Sequence, residues 1–468
     1  MRGGRVEACR AFLDGIAESE RRSPEHLWAV VHYHYRLGEF AKAVSVYQEL
    51  LRLGPTHFDE KTVEQRSIFY DCCAHLGWTE PACEAAKTIA PRCNEASAIM
   101  VKAEALLAMG LDEEAAAITK PFERRDHSAI VTQLILCQAM MRRKGIQHGL
   151  AAYALAMTNP HAWVTLYGED PQYPMADYWH GQSFLPKRLI LRTRGGVGDT
   201  LQWMRYLPFL HAVGVELSTD GRLPGIGIKT LTEPVDIARA HARLGQWGEP
   251  LADRTMWTDP FALFTGLFEA LGYADAPQGH LSTSPDADAE AHLRAIRAKA
   301  GGRPAVAITW SSNDGPWLFA SKSLTLDQVR PLLAMEDIHW VVLQRGLQRD
   351  AWLAAPEASK TTILPTTFSF NQTGVLLQGL DAAVTNCSSI VHLSGGLGCE
   401  TFLLASAAAD WRWESFPSFT PWSQHTLLFR QPKLGDWDTA VERLRTALTA
   451  WVAARRDRLD VASTSAVG

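Results

Sequence analysis

The stretch RLILRTRGGVGDTLQWMRYLPFL, residues 188–210, decides the fold class. RLILRT is a short apolar run bounded by basic residues, as expected of a buried parallel strand. It runs into Gly195, Gly196 and Gly198, which let the backbone turn sharply, and then into TLQWMRYLPFL, where apolar residues recur at helical spacing. Asp199 stands where it can cap that helix. Strand, glycine loop and helix start together present free N–H groups and the positive end of a helix dipole, an arrangement suited to anions. Taken alone, the motif leaves Asp199 two roles, a helix cap or a functional carboxylate.

Further along the chain the same alternation repeats. PAVAITW (304–310) reads as a second buried strand and SSNDGPWLFASKSLTLDQVRPLL (311–333) as a loop entering a helix. HWVVLQ (339–344) is a strand, GVLLQGLDAAVTN (374–386) supplies a helix and a strand, and SSIVHLSGGLG (388–398) turns into another helix. Strands alternating with helices predict parallel sheets covered on both faces, with ligands at the carboxyl ends of the strands. Two such α/β lobes are expected to face each other across a cleft. The polar segment SPDADAEAHLRAIRAKAGG (284–302), ending in Gly301 and Gly302, is expected to be the hinge between them. Its Asp286 and Asp288 have a spacing that can hold a divalent metal, but they open an amphipathic helix, where acids favour the dipole. No metal site is assigned to them.

Before these lobes, small and aromatic residues recur at helical spacing in three stretches: HYHYRLGEFAKAVSVYQELLRLGP (32–55), CCAHLGWTEPACEAAKTIAP (72–91) and EALLAMGLDEEAAAITKP (104–121). Each has a glycine at the turn (Gly38, Gly77, Gly110), a closing proline (Pro55, Pro91, Pro121) and a small residue after the turn (Ala43, Ala85, Ala115). This resembles the tetratricopeptide repeat, the first copy most closely. Stacked helix pairs make a solenoid whose concave side can hold a peptide or protein; the alternative is that they brace the next domain or form a homodimer.

Composition fits three compact units. At 468 residues the chain exceeds one ordinary core, and roughly 150 residues per domain gives about three. Hydrophobic residues at 47% and charged residues at 21% are ordinary for a globular protein. A net charge of -5 argues against a nucleic-acid binder, which must neutralise many phosphates with clustered cations. The opening MRGGRVEACRAFLDGIAESERR lacks a signal-peptide core and no apolar run is long enough for a transmembrane segment, so a cytoplasmic protein is expected. Eight cysteines without a C-x-x-C pair indicate reduced thiols rather than a zinc or redox site.

Read in order, RGGVGDTLQWMRYLP, VAITWSSN, KSLTL, VVLQRG, GLDAAVTNCSSIVHLSGGLG, DWRWESFPSFTPWSQHTLLFRQ and GDW are similar to the bacterial tetratricopeptide-linked glycosyltransferases. Their catalytic region is like that of the heptosyltransferases of glycosyltransferase family 9. The resemblance runs from about Tyr178 to Trp437. It implies a GT-B architecture: an all-α repeat domain over 1–160, an acceptor lobe over 161–285 and a nucleotide-sugar donor lobe over 286–468. It implies an inverting, metal-independent transfer with no cofactor beyond the donor substrate, for which ADP-heptose is the family standard; the repeats add the expectation of a protein acceptor that they recruit.

Residue by residue, the resemblance makes Asp199 the general base, with Gly195, Gly196 and Gly198 as its glycine loop. Lys322 is implied as a basic phosphate contact, Ser388, Ser389 and His392 as diphosphate contacts, and Gly395 and Gly396 as the residues that keep the helix close to that diphosphate. Gln344 is placed on the nucleobase side, and the block Asp410, Trp411, Arg412, Trp413 through Trp422 on the donor-lobe rim. One departure stands out: where relatives carry Asp-Thr, this chain has Cys387-Ser388, exchanging a carboxylate for a thiol, a poor acceptor. That exchange supports an alternative, a non-catalytic scaffold. Another alternative is a lipopolysaccharide or glycan acceptor, which a basic face of Arg192, Arg194 and Arg205 would suit.

Overall fold

The structure is a computed structural model that describes residues 12–13, 15–18, 20–36, 39–53, 68–69, 72–73, 106, 111–119, 137–141, 144–158, 172–182, 184–193, 196–273, 279–312, 322–407, 410–414, 417–433 and 435–465. The second repeat-like stretch after Cys73, and Gly38, Pro55, Gly110, Pro121, Arg194 and Gly195, lie outside the described residues.

The front of the chain is helical where it is described. α1 (Pro24–Arg36) and α2 (Phe40–Arg52) form a pair because Leu27 and Val31 of one meet Ala43, Val44, Tyr47 and Leu50 of the other, all buried in one small cluster. Their i, i+3, i+4 spacing puts each set on a single face. Ala43 and Ala115, the latter on α3 (Asp112–Thr119), are both fully buried, as close helix approach requires. α4 (Ile146–Thr158) behaves differently: Ile146, Leu150 and Tyr153 belong to the core of the first lobe, with Tyr153 against Phe261 and Phe264.

The first lobe is slight. β1 (Pro186–Leu191) lies between β2 (Glu216–Thr219) and β4 (Leu251–Thr258), all parallel. α5 (Val197–Trp203), α6 (Leu207–Ala212), α7 (Pro234–Leu244) and α8 (Pro260–Leu271) accompany this sheet. β3 (Ile226–Ile228) pairs antiparallel with β5 (Leu281–Thr283), a separate ribbon at the passage between lobes.

The second lobe has a complete doubly wound sheet. Its strands are β6 (Ala305–Thr309), β7 (His339–Val342), β8 (Thr362–Ile363), β9 (Ala382–Asn386), β10 (Thr401–Ala405), β11 (Phe419–Thr420) and β12 (Ser423–Arg430), in the order β11-β12-β10-β9-β6-β7-β8. All neighbours are parallel except the edge pair β11 and β12. β6, β7, β9 and β10 are buried along their whole length, the apolar runs that a two-sided parallel sheet demands. Numbered from β6 and leaving out β11, the order is 3-2-1-4-5-6, so the topological switch point falls between the ends of β6 and β9. Helices α10 (Leu326–Leu333), α11 (Leu347–Leu353), α12 (Phe370–Gly379), α13 (Ser389–Leu397), α14 (Trp411–Glu414) and α15 (Trp437–Ser465) complete it. Thr325 with Gln328, and Ser369 with Gln372, close α10 and α12 with capping boxes.

The polar segment expected to open an amphipathic helix does so as α9 (Ala287–Ala300), but it is packed into the second lobe and does not serve as a hinge. Asp286 caps it by accepting from the Ala289 N–H at 3.0 Å, Gly301 ends it in the left-handed region, and Ala289, Ile296 and Ala300 face inward. Arg297 of α9 and Arg455 of α15 both pair with the buried Asp381, which also accepts from the Ala305 N–H at 2.7 Å. The two lobes meet in one continuous core, which joins Leu189, Leu201 and Phe264 of the first to Val391, Trp411 and Trp422 of the second.

Candidate functional site

The site forms where the start of α5 meets the start of α13, at the switch point of the second sheet. Gly196 is the N-cap of α5, at φ -73° and ψ 142°, an extended conformation open to any residue. Its role is space: a Cβ there would stand 3.0 Å from Asp199 Oδ2. Gly198 serves close approach between lobes, since a Cβ on it would lie 2.9 Å from His392 Cδ2 and 3.4 Å from Ser389 Cα. Asp199 is not the cap of α5. It sits in the first turn, and its Oδ1 accepts from Arg412 Nη2 of the second lobe at 2.7 Å.

Arg412 is held on every side. Its Nη1 donates to both oxygens of Asp410 at 2.9 and 3.0 Å, and its backbone N–H donates to Asp410 Oδ1 at 3.0 Å. The guanidinium lies 4.6 Å from the centre of the Trp411 ring and 5.3 Å from that of Trp203, and its carbonyl accepts from Trp422 Nε1 at 3.0 Å. Arg205 fastens the same junction by donating to the carbonyls of Trp422 at 2.8 Å and Tyr273 at 3.1 Å.

Ser388 caps α13, accepting from the Ile390 N–H at 3.4 Å while its hydroxyl meets Thr385 Oγ1 at 3.1 Å. Beside it, Asn386 Nδ2 donates to Ser312 Oγ at 3.1 Å and to the Lys322 carbonyl at 2.9 Å, tying the end of β9 to the loop after β6. His392, one turn into α13, stacks on Trp413 with ring centres 5.6 Å apart. Trp413 Nε1 donates to Cys387 Sγ at 3.1 Å. The structure thus brings together Asp199, Lys322, Ser388, Ser389 and His392, with Gly196 and Gly198.

Gly395 and Gly396 do different work from that expected of them. They let α13 approach the rest of the fold: a Cβ on Gly395 would lie 3.1 Å from Ser423 Oγ, and one on Gly396 only 2.6 Å from Leu281 Cδ1. Gln344 is likewise engaged inside its own lobe. Its Oε1 accepts from Thr309 Oγ1 and the N–H groups of Trp310 and Ser311, while Nε2 donates to the carbonyls of Ser311 and Arg345. With both amide atoms so occupied and the residue buried, Gln344 braces the end of β6 rather than offering a nucleobase contact. Arg192 and Arg205 do not form a basic face either. Both are buried, Arg192 with its guanidinium 3.7 Å from the Tyr173 ring centre.

Electrostatics sort these groups. Burial, with Asp410 nearby, pushes the Asp199 carboxyl above the usual range, while Arg412, Lys322 and the Gly196 backbone oppose the rise. Burial also works to raise Asp410, but Arg412 and its hydrogen bonds outweigh it and hold that carboxyl low. Burial, then Arg412, Arg205 and Lys322, depress His392 well below its ordinary value, so its imidazole is neutral near pH 7. Burial raises the Cys387 thiol, which is therefore also neutral. Lys322 contributes positive potential at all four. Among the described residues no three or more His, Cys, Asp or Glu group into a metal-binding cluster, and no helix is long and apolar enough to cross a membrane.

No family model matches the chain. Protein FlbA of Caulobacter vibrioides is 23% identical over 367 residues, covering 71% of this chain and 61% of that protein. The chain therefore spans about three-fifths of the length of that curated relative. Among solved structures, E. coli ADP-heptose lps heptosyltransferase II overlaps 57% of this chain and 99% of its own at 14% identity and a TM-score of 0.38. The glycosyl transferase family 9 protein from Veillonella parvula overlaps 58% of this chain and 98% of its own at 10% identity and a TM-score of 0.36. TM-scores of this size do not establish a common fold, so the residues of this chain carry the weight.

Proposed function

We propose that the chain is a glycosyltransferase, moving a sugar from a nucleotide-sugar donor to an acceptor hydroxyl with inversion and without a metal ion. The observation that carries this reading is a carboxylate, Asp199, set by the first lobe directly opposite the N-terminal turn of α13, at the switch point of the second. Ligands of doubly wound sheets bind at such points, and a helix start presents N–H donors to phosphate. In this reading the diphosphate lies along Ser388 and Ser389, within the positive potential of Lys322. His392 offers a neutral hydrogen-bonding edge.

The acceptor oxygen attacks the anomeric carbon from the face opposite the diphosphate. Its proton passes to Asp199 as the carbon–oxygen bond to phosphate breaks, and the leaving diphosphate keeps the bonding electrons. A carboxyl raised by burial is a stronger base than a solvated one, which suits this task. Cys387 puts a neutral thiol where relatives of the resembled family have a carboxylate, so the donor's sugar or ribose meets different chemistry from that of the ADP-heptose enzymes. α4, lodged in the first-lobe core, sets the helical segment beside the acceptor side, consistent with a protein acceptor recruited by those helices.

Asp199→Ala should lower transfer about 10²–10⁴-fold with donor affinity nearly intact, whereas Lys322→Ala should weaken donor binding as well as rate. Equal turnover by wild type and Asp199→Ala would remove the carboxylate from the mechanism. A second reading, a nucleotide-binding scaffold without turnover, draws on Cys387 and on the engagement of Asp199 by Arg412. It predicts nucleotide binding with no transfer to any acceptor.

A further inference from the structure

Asp199 and Arg412 are 213 positions apart and come from different lobes, yet they share a hydrogen bond of 2.7 Å. Arg412 has little freedom to be elsewhere. One nitrogen is spent on both oxygens of Asp410, the guanidinium lies 4.6 Å from the Trp411 ring centre and 5.3 Å from that of Trp203, and the side chain is 8% exposed. Trp422 holds its carbonyl. The front segment reaches the same cluster through Tyr153 of α4, whose ring lies 6.3 Å from that of Phe264, itself 5.3 Å from Trp411. On the other side of the pair, the absence of a side chain on Gly196 leaves room beside Asp199 Oδ2, 3.0 Å from where a Cβ would stand.

We propose that Arg412 is the positioning residue for Asp199: the second lobe's guanidinium fixes Oδ1 at 2.7 Å and so leaves Oδ2 to take the acceptor hydroxyl's proton. This inference rests on Asp199 being the base of the proposed reaction. It makes the strength of a first-lobe base a property of the second lobe, so that the base is competent only when the junction is assembled. The charged and titratable groups that bear on Asp199 are Arg412 and Asp410 from the α14 segment and Lys322 from the loop before α10; the neutral His392 of α13 adjoins its helix at Gly198. Without Arg412 the carboxyl would keep burial and Asp410 against it, with Lys322 and the Gly196 backbone alone in its favour.

A carboxyl-carbon NMR titration of the full chain tests this without any substrate, the Asp199 resonance being identified by its loss in Asp199→Asn. Its midpoint should rise by about one pH unit or more in Arg412→Gln and recover partly in Arg412→Lys. Should Arg412→Gln fail to fold, Asp410→Asn gives the complementary reading. Relieved of its second carboxylate, Arg412 then serves Asp199 alone, and the midpoint should fall. A midpoint unmoved in Arg412→Gln or, should that variant fail to fold, in Asp410→Asn would overturn the proposal. A midpoint that moves as expected while Asp199→Ala retains full transfer would leave the coupling standing and refute the base reading instead.

Discussion

The two α/β lobes differ in what holds them together. The second has its own core on one face of a seven-stranded sheet, built from Val306, Ile308, Trp340, Trp352, Leu444 and their neighbours, independent of everything upstream. The first has a sheet of three strands, and its core does not close on itself. It is completed by α4 from the front segment and by Trp411, Trp413 and Trp422 from the second lobe. A small sheet buries too little apolar area to be stable alone, so this lobe borrows, and it borrows at the place where Asp199 stands. The junction is thus an aromatic interior, with Trp203 stacked on Phe264 at 4.3 Å and set edge-on to Trp422 at 5.1 Å. The lobes are expected to unfold as one cooperative unit rather than to swing on a hinge.

The substitution that should break this contrast most severely is Trp203→Ala. Removing a fully buried indole from the junction should cost about 3–5 kcal/mol and split the denaturant transition in two, the first lobe melting early. A control inside the second lobe is Asp381→Ala, which leaves Arg297, Arg455 and the Ala305 N–H without their shared acceptor. It should cost about 2 kcal/mol while the single transition persists, as tryptophan fluorescence and circular dichroism would show together.

Acid should act on the junction through His280. It is buried, bonds through Nε2 to the Leu201 carbonyl at 2.8 Å, and is depressed to about 3 by burial and by nearby Arg205. Because its folded value lies below the unfolded one, its contribution is intact above about pH 6.5 and is lost progressively as pH falls toward 3. By pH 5 that loss is about 2 kcal/mol, and His280→Gln should flatten the fall over this range in calorimetric melts. Smallest of all, Gly198→Ala forces a methyl against His392 and Ser389. It should cost about 1 kcal/mol in stability but measurably weaken nucleotide binding, because it pushes apart the two helix starts that make the site.

The second lobe was largely legible in the sequence because its strands are continuous apolar runs: 304–310, 339–344 and 382–386 contain β6, β7 and β9. Local signals also placed the glycine loop between β1 and α5. What escaped was non-local. Nothing near Asp199 announces Arg412, since the pair is made by packing two lobes, and a carboxylate in a first turn looks the same whether it caps or reaches outward. Gln344 follows a strand at the ligand-facing edge, yet its amide is consumed by three N–H and O–H donors that only the folded loop after β6 supplies. The helix in 284–302 was legible from its acidic start, but with only three inward residues its packing into the second lobe was not. The thinness of the first sheet could not be read at all, because aromatic residues at 203, 411 and 422 reveal their partnership only in space.

The most direct test of the central claim is calorimetric titration of the purified chain with nucleoside diphosphates and their sugar conjugates, with and without EDTA, in wild type, Lys322→Ala and Asp199→Asn. The account predicts selective binding of one nucleotide, unchanged by EDTA, weakened in Lys322→Ala and retained in Asp199→Asn. Binding of no nucleotide by the wild-type protein, or binding indifferent to Lys322→Ala, would contradict it.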